Sequence, residues 1–154
     1  MSSVDEIKQL LAEHEFFKGI PPEYLARLTP HVILESFPAG EYVFRAGGQA
    51  THCYLIRQGQ VALEVFEPHR GGSIVLHTID RHGVLGCSWL VPPYQWRFDA
   101  RATQLTRMLA IDAAAFRDAL EADHEFGYEI IKRFLAVFTG RLSAVLLQMS
   151  DMYA

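Results

Sequence analysis

The stretch FPAGEYVFRAGGQATHCYLIRQGQVALEV, residues 37–65, decides the fold, because short apolar runs in it are separated by glycine turns. In its last run, Val61, Leu63 and Val65 alternate with the residues between them, which is the period of two typical of a half-buried strand. The turns fall at four glycines, Gly40, Gly47, Gly48 and Gly59. The stretch therefore predicts three short strands joined by tight turns.

The same pattern continues on both sides of this stretch and covers residues 31–112. The run HVILESF precedes it, and the runs SIVLHTI, WRFDARA and RMLAID follow it. About eight short strands with glycine turns between them are typical of a jelly roll. We predict an α+β protein, mainly β, built on an eight-stranded jelly-roll or β-roll (a double-stranded β-helix).

Helical patterns flank the roll at both ends of the chain, over residues 4–28 and 113–152. At the first end, apolar residues at helical spacing follow Ser2 and Ser3, which can cap a helix. At the second end, a short helix over residues 113–122 precedes a long one that Asp123 can cap. The roll is therefore expected to carry N-terminal helices and a long C-terminal helix.

The long helix carries a heptad stripe of apolar residues, the spacing that lets two helices pair. Its members are Ile131, Leu135, Phe138, Leu142, Val145, Met149 and Met152. A second apolar line, Phe126, Ile130, Phe134 and Val137, can pack on the roll instead. Two apolar faces need two partners, so we expect a homodimer through the first stripe, the alternative being that this stripe also packs on the roll.

The length and net charge indicate a single domain that does not bind nucleic acid or an anionic membrane by itself. A chain of 154 residues is long enough for one core and too short for two, so residues 1–154 form a single domain. A formal charge of −4 disfavours unaided binding to nucleic acid or to an anionic membrane. The first residues lack the apolar run of a signal peptide, and two cysteines, Cys53 and Cys87, give no disulfide framework. We expect a cytoplasmic protein that does not contact a membrane.

Three segments together resemble the effector domain of the catabolite-activator (Crp/Fnr) family of cyclic nucleotide-binding proteins. FFKGIPPEYLARLTPHV, residues 16–32, resembles its opening helices, and residues 37–65 resemble its first strands, with glycines at the family's turn positions. RHGVLG, residues 81–86, resembles the start of its phosphate-binding cassette. The resemblance spans residues 10–150 and implies a non-catalytic regulatory module with a cyclic nucleotide as its cofactor or ligand.

Members of this family that are transcription factors continue past the long helix into a helix-turn-helix that reads the major groove. This sequence stops at Ala154, where that domain would begin. We therefore expect no direct contact with nucleic acid, and a protein partner in trans is the remaining route by which such a module could act.

The resemblance assigns the ligand site to the segment GVLGCSWLVPPYQWRFDARA, residues 83–102. In the family, the cyclic phosphate meets backbone N–H groups of a short helix, here expected at residues 87–90, together with an arginine. The candidate ligand-binding residues are Gly83, Val84, Leu85, Gly86, Cys87, Ser88, Trp89, Trp96, Arg97 and Phe98. Val84 stands where the family has the glutamate that holds the ribose hydroxyl, so that acceptor is missing.

The position of the phosphate arginine is left open by the sequence. Counted back from Ala102, Trp96 falls at the family's arginine position and Arg97 comes one residue late. A one-residue slip turns a strand side chain to the opposite face, whereas a bulge in the preceding proline-containing loop would return it to the pocket. Arg97 is thus either an anion ligand or a surface arginine paired with Asp99.

Aromatic residues are concentrated in this segment, at Trp89, Tyr94, Trp96 and Phe98. Either the pocket is retuned to a more apolar or aromatic ligand, or the aromatic side chains fill it as core and leave a scaffold for protein contacts. A genuine cyclic AMP or cyclic GMP sensor that uses Arg97 is the alternative to both.

Catalysis and metal binding find little support in the sequence. The seven histidines never form the His-X-His pairs of metal-dependent jelly-roll enzymes, and no nucleophile–base pair or nucleotide-binding glycine loop is visible. A haem sensor with His77, His82 or Cys87 as axial ligand is a further alternative. We expect no enzyme activity and assign no metal site.

Overall fold

Between residues 3 and 152, the part of the chain that the computed structural model describes, seven strands form the roll. They are β1 (Val32–Phe37), β2 (Tyr42–Phe44), β3 (His52–Gln58), β4 (Gln60–Glu67), β5 (Gly72–Asp80), β6 (Asp99–Ala102) and β7 (Thr106–Asp112). One sheet has the order β1-β7-β3 and the other the order β2-β6-β4-β5. All pairs are antiparallel, and the mainly β, jelly-roll-like fold that the sequence predicts is confirmed.

The count of eight strands is corrected to seven, because the segment between β5 and β6 forms no ladder. It makes only isolated pairs, Val84 with Leu55 and Gln95 with Gln49. Pro92 and Pro93 in its middle have no N–H to donate, so a continuous ladder cannot form there. The backbone of this segment is therefore free to bend around a cavity.

Gly59 makes the tight turn from β3 to β4. Its φ of 108° is a conformation that residues with side chains rarely adopt. A Cβ built on it would stand 2.5 Å from the hydroxyl of Thr106 and 2.6 Å from the carbonyl oxygen of Leu105. The two sheets approach each other closely here because no side chain intervenes.

Within the described residues, four α-helices flank the roll: α1 (Val4–Glu13), α2 (Pro22–Leu28), α3 (Ala113–Ala122) and α4 (His124–Met152). The hydroxyl of Ser3 caps α1 by accepting from the N–H of Glu6 at 3.1 Å, whereas Ser2 lies outside the described residues. Asp123 caps α4, as its carboxylate accepts from the N–H of Phe126 at 3.1 Å. None of the described helices has an apolar stretch long enough to cross a bilayer.

The face of α4 that was expected to pack on the roll does so. Phe126, Ile130 and Phe134 are buried, and Val137 is partly buried against the same core. The rings of Phe134 and Phe16 pack against each other at a tilt, with centroids 4.8 Å apart, so the N-terminal segment and α4 share one core. The first half of the long helix is therefore fixed to the body of the domain.

His14 is buried at the junction between α1 and β3. Its Nε2 lies 2.9 Å from the carbonyl oxygen of Ile56, and its Nδ1 accepts from the N–H of Phe16 at 3.1 Å. Both contacts suit a neutral ring with its proton on Nε2, because a second proton on Nδ1 would face a donor. Burial lowers the pKa of His14 below the usual 6.5, and His82 lowers it further, against opposing effects of Ile56 and Glu15.

Acidification should therefore destabilise the fold through His14. Its contribution is complete above the unfolded-state pKa of 6.5 and is lost as the pH falls from there towards the lower folded-state pKa. When the pH is lowered from about 7.5 to about 5.5, the free energy of unfolding measured with urea should fall by up to about 1.4 kcal/mol through this group. His14→Gln should show a smaller loss over the same interval. His31→Gln, an exposed control, should keep the wild-type loss, and equal losses in all three proteins would contradict this role.

Candidate functional site

A cavity of about 480 Å³ lies between the four-stranded sheet, the segment that precedes β6, and α4. The sheet contributes Phe44, Leu63, Leu76 and His77 to its wall. The segment contributes residues between Leu85 and Phe98, and α4 contributes Phe138, Arg141, Leu142 and Val145. The volume is in the range of small-molecule sites. The aromatic side chains of the segment therefore leave this space unfilled.

Seven of the ten candidate ligand-binding residues line this cavity: Leu85, Gly86, Cys87, Ser88, Trp96, Arg97 and Phe98. The other three, Gly83, Val84 and Trp89, lie outside its wall. Val84 is buried in the core and pairs with Leu55 of β3. The position that the resemblance assigns to the ribose acceptor is thus both apolar and turned into the core.

The start of the segment is pinned to β3 by its backbone. The carbonyl oxygen of Gly83 accepts from the N–H of Ile56 at 2.9 Å, and the N–H of Leu85 donates to Tyr54 at 3.0 Å. Gly83 also packs closely, because a Cβ there would stand 2.2 Å from the Cγ2 of Ile79. These contacts fix the backbone that leads into the cavity wall.

The short helix expected at residues 87–90 is a single turn in the structure. The N–H of Leu90 donates to the carbonyl oxygen of Cys87 at 2.9 Å and closes it. The indole Nε1 of Trp89 donates to the carbonyl oxygen of Gly86 at 3.1 Å, and its ring enters the core. A helix N-terminus is therefore not available to an anion at this place.

The four aromatic residues of the segment separate into different roles. Trp89 is fully buried and stacks on Phe116 of α3 at 4.6 Å, away from the cavity. Tyr94 also turns away and lies under the guanidinium of Arg117 at 4.1 Å. Trp96 forms part of the wall by stacking on Phe44 at 3.7 Å. Phe98 also lines the wall and is 42% exposed.

Arg97 lies exposed among the lining residues, one position after the buried Trp96. Its expected pairing with Asp99 is not what the structure shows. Asp99 instead accepts from the Nε of Arg45 at 3.3 Å and from the N–H of Ala46 at 2.8 Å. Arg101 is likewise held elsewhere, by Glu64 at 2.5 Å. Arg97 is therefore an exposed cation among the lining residues that pairs with neither Asp99 nor Glu64.

Arg141 of α4 is the charged residue of the wall that sequence reasoning missed. Its Nη1 donates to the carbonyl oxygen of Leu85 at 3.1 Å, and its Nη2 donates to that of Val84. The guanidinium carbon lies 4.9 Å from the ring centroid of Phe138. Burial lowers the pKa of Arg141 to about 10, which still leaves it charged at neutral pH. The sequence contained a signal for this position, because Arg141 follows Val137 by four residues and therefore lies on the face of α4 that packs on the roll.

Besides the two arginines, the wall contains His77 and Cys87, and both are uncharged at neutral pH. Burial lowers the pKa of His77, and the nearby charge of Arg141 adds to this. Burial raises the pKa of the Cys87 thiol, against the opposing effect of Arg141. None of the residues that line the cavity is an aspartate or a glutamate. The cavity is thus apolar with a positive charge inside and another among its exposed lining residues.

The residues of the predicted dimer stripe have two environments. Phe138, Leu142 and Val145 line the cavity. Ile131, Leu135 and Met149 are exposed, and the side chain of Met152 lies outside the described part of the chain. Leu142 belongs to both groups, since it lines the cavity and is 60% exposed. The stripe therefore borders the cavity along one side and solvent along the other.

The histidines and cysteines do not assemble a metal centre anywhere within residues 3–152. Of the three axial ligands considered for haem, His77 and Cys87 line the cavity, whereas His82 is exposed in a turn. Cys53 is buried in the core and does not reach the cavity.

Solved structures with a similar fold include several regulatory proteins. A protein from Geobacter metallireducens GS-15 assigned to cyclic nucleotide binding is 25% identical, with a TM-score of 0.76 over 92% of this chain and 99% of its own. The sensor domain of the transcriptional regulator DNR from Pseudomonas aeruginosa is 22% identical, with a TM-score of 0.68 over 98% and 95%. The regulatory subunit of a cAMP-independent protein kinase A from Trypanosoma cruzi, bound to guanosine, is 19% identical, with a TM-score of 0.67 over 77% and 42%.

A sequence search of curated proteins finds no match. A family model, the cyclic nucleotide-binding domain, matches residues 34–123, which are more than half of the chain. The matched region runs from β1 through α3 and contains the cavity wall contributed by the roll. With its Crp/Fnr-like order of helices, roll and long C-terminal helix, the chain belongs to the cyclic nucleotide-binding domain family.

Proposed function

We propose that the chain is a non-catalytic regulatory module that binds a small molecule in the cavity and passes its occupancy to α4. The observation that carries this proposal is the composition of the cavity wall. Phe138, Arg141, Leu142 and Val145 of α4 face the same space as the sheet and the cassette segment. A ligand there would touch α4 directly, so binding energy could change the position of the helix.

The ligand is proposed to differ from a standard cyclic nucleotide. The residue at the ribose position, Val84, is apolar and buried, and none of the lining residues is acidic. A ribose hydroxyl buried without an acceptor costs about 1–3 kcal/mol. The regulatory subunit from Trypanosoma cruzi supports this proposal, because that protein has a similar fold and binds guanosine, which is not a cyclic nucleotide.

A cyclic AMP or cyclic GMP sensor is the second candidate, and the position of Arg97 favours it. Arg97 lines the cavity and makes no pairing with Asp99 or Glu64, so its guanidinium is available to a phosphate. Such a contact would be a charge-assisted hydrogen bond, which is about twice as strong as a neutral one.

The output of the module is proposed to be a homodimer formed through α4. Ile131, Leu135, Leu142 and Met149 follow the heptad spacing and are each at least 45% exposed. A helix that leaves such a stripe in water gains by pairing it with the same stripe of a second copy. Because Leu142 lines the cavity as well, the ligand and the second copy would meet at one residue.

Replacing Leu135 by Glu should convert the dimer to a monomer, because each interface would bury an unpaired charge. Light scattering after size exclusion should give twice 17.4 kDa for the wild type and 17.4 kDa for the variant. Ala136→Glu is the matched control, since it adds the same charge one residue later on another face of α4 and should leave the dimer intact. A wild-type monomer at micromolar concentration would contradict the dimer.

Cyclic AMP and cyclic GMP should give no binding heat at about 100 µM ligand, because the ribose acceptor is missing and the cassette turn offers no helix N-terminus. Isothermal titration calorimetry of the wild type tests this. Tight binding that Arg97→Ala abolishes would establish the second candidate instead. Arg107→Ala, an exposed arginine on β7 outside the cavity, is the control for loss of a positive charge.

A further inference from the structure

We infer that the occupant of the cavity is a small organic anion with an apolar, ring-containing body, whose anionic group pairs with Arg141 inside the cavity. This inference rests on the proposed ligand-binding function and names the ligand class for that site. It moves the anion contact from the cassette segment, where the family resemblance placed it at Arg97, to the long helix.

The first step is the charge balance around Arg141. Its polar partners within the described residues are two carbonyl oxygens, those of Val84 and Leu85, and no carboxylate. A guanidinium has five N–H donors, so these carbonyls leave donors for a ligand. Arg141 is partly buried, and a charge withdrawn from water is costly unless a counter-ion and hydrogen bonds compensate it. An anionic ligand would supply the missing counter-ion.

None of the described acids is in place to take that role, because none lines the cavity and the acids with basic partners are held elsewhere. Glu64 is paired with Arg101, and Asp99 is held by Arg45. Glu129, which lies on α4, is paired with Lys132 and Arg133 near the start of the helix. The cavity wall itself contributes no acidic residue.

The second step is the apolar character of the space next to Arg141. Leu63 and Leu76 form one side, and Leu142 closes the opposite side. Trp96 and Phe44 are stacked in parallel, and both line the cavity. A planar apolar body can pack against such surfaces, and a few polar anchors are enough to orient it.

The third step is the state of the groups that face Arg141. The pKa of His77 on β5 is lowered and that of the Cys87 thiol is raised, both chiefly by burial, so neither group is charged at neutral pH. Neither can serve as a counter-ion. The Ser88 hydroxyl, also in the wall, can donate to the same anion. Arg97 is the other cation of the wall, and the test must separate the two arginines.

The experiment compares two fluorescent probes that share one ring system. Anilinonaphthalene sulfonate carries an anionic group, whereas phenylnaphthylamine is its neutral counterpart. The wild type should bind one molecule of either probe per chain and should prefer the sulfonate. Arg141→Met should weaken binding of the sulfonate by about tenfold or more, the size expected for a lost charge-assisted hydrogen bond. The same variant should keep its affinity for phenylnaphthylamine within about twofold.

Three further variants make the comparison specific. Arg107→Met removes a positive charge outside the cavity and should leave the preference for the sulfonate unchanged. Arg97→Met removes a charge from the wall and should reduce that preference less than Arg141→Met does. Arg141→Lys keeps the charge and should retain part of that preference even if Arg141→Met folds poorly. Circular dichroism and a thermal melt of each variant report whether it is folded.

Each outcome bears on a different statement. If neither probe binds in a saturable way, the cavity does not take ligands and the proposed function fails together with the inference. If phenylnaphthylamine binds but the sulfonate is not preferred, the ligand site stands and the anion inference is overturned. The inference is equally overturned if the preference survives in Arg141→Met, or if it is lost in Arg97→Met instead.

Discussion

The packing of aromatic side chains around Phe116 is the constraint on which the position of α4 depends. Phe116 of α3 stacks on Trp89 at 4.6 Å and lies 6.4 Å from Phe126 of α4. Trp89 in turn meets Phe134 of α4 at 5.7 Å. Such pairs contribute about 0.5–1.5 kcal/mol each beyond the burial of their area. They fix the first half of α4 on the roll, so the cavity lies where the helix continues past this cluster.

The same packing explains why the cavity is open although its segment is rich in aromatic residues. Trp89 is taken into the helical core and Tyr94 is held by Arg117, so neither occupies the ligand space. Trp96 remains, but its stacking on Phe44 holds it flat against the wall. The aromatic side chains of this segment point to different places and do not converge, so the segment lines the cavity and does not fill it.

Arg141 connects the two parts of the domain that a ligand would have to couple. It comes from α4, and its guanidinium holds the carbonyl oxygens of Val84 and Leu85, whose backbone is pinned to β3. An anion that draws the guanidinium away from these carbonyls would therefore change a contact between the roll and the helix. Because Leu142 follows directly and belongs to the exposed stripe, such a change would reach the proposed dimer surface within one residue.

Local patterns in the sequence determined most of the strands, turns and helices, but not that the segment between β5 and β6 forms neither a strand ladder nor a helix. Strand periodicity, glycine turns such as Gly59 and the cap at Asp123 depend on neighbouring residues, and these are read directly from the chain. The roles of Trp89 and Arg141 depend on residues distant in sequence, since Trp89 packs on Phe116 and Arg141 bonds to the carbonyl oxygens of Val84 and Leu85. No local spacing specifies those partners. Only the tertiary structure decided that the aromatic segment lines an open cavity and that its inner charge comes from α4.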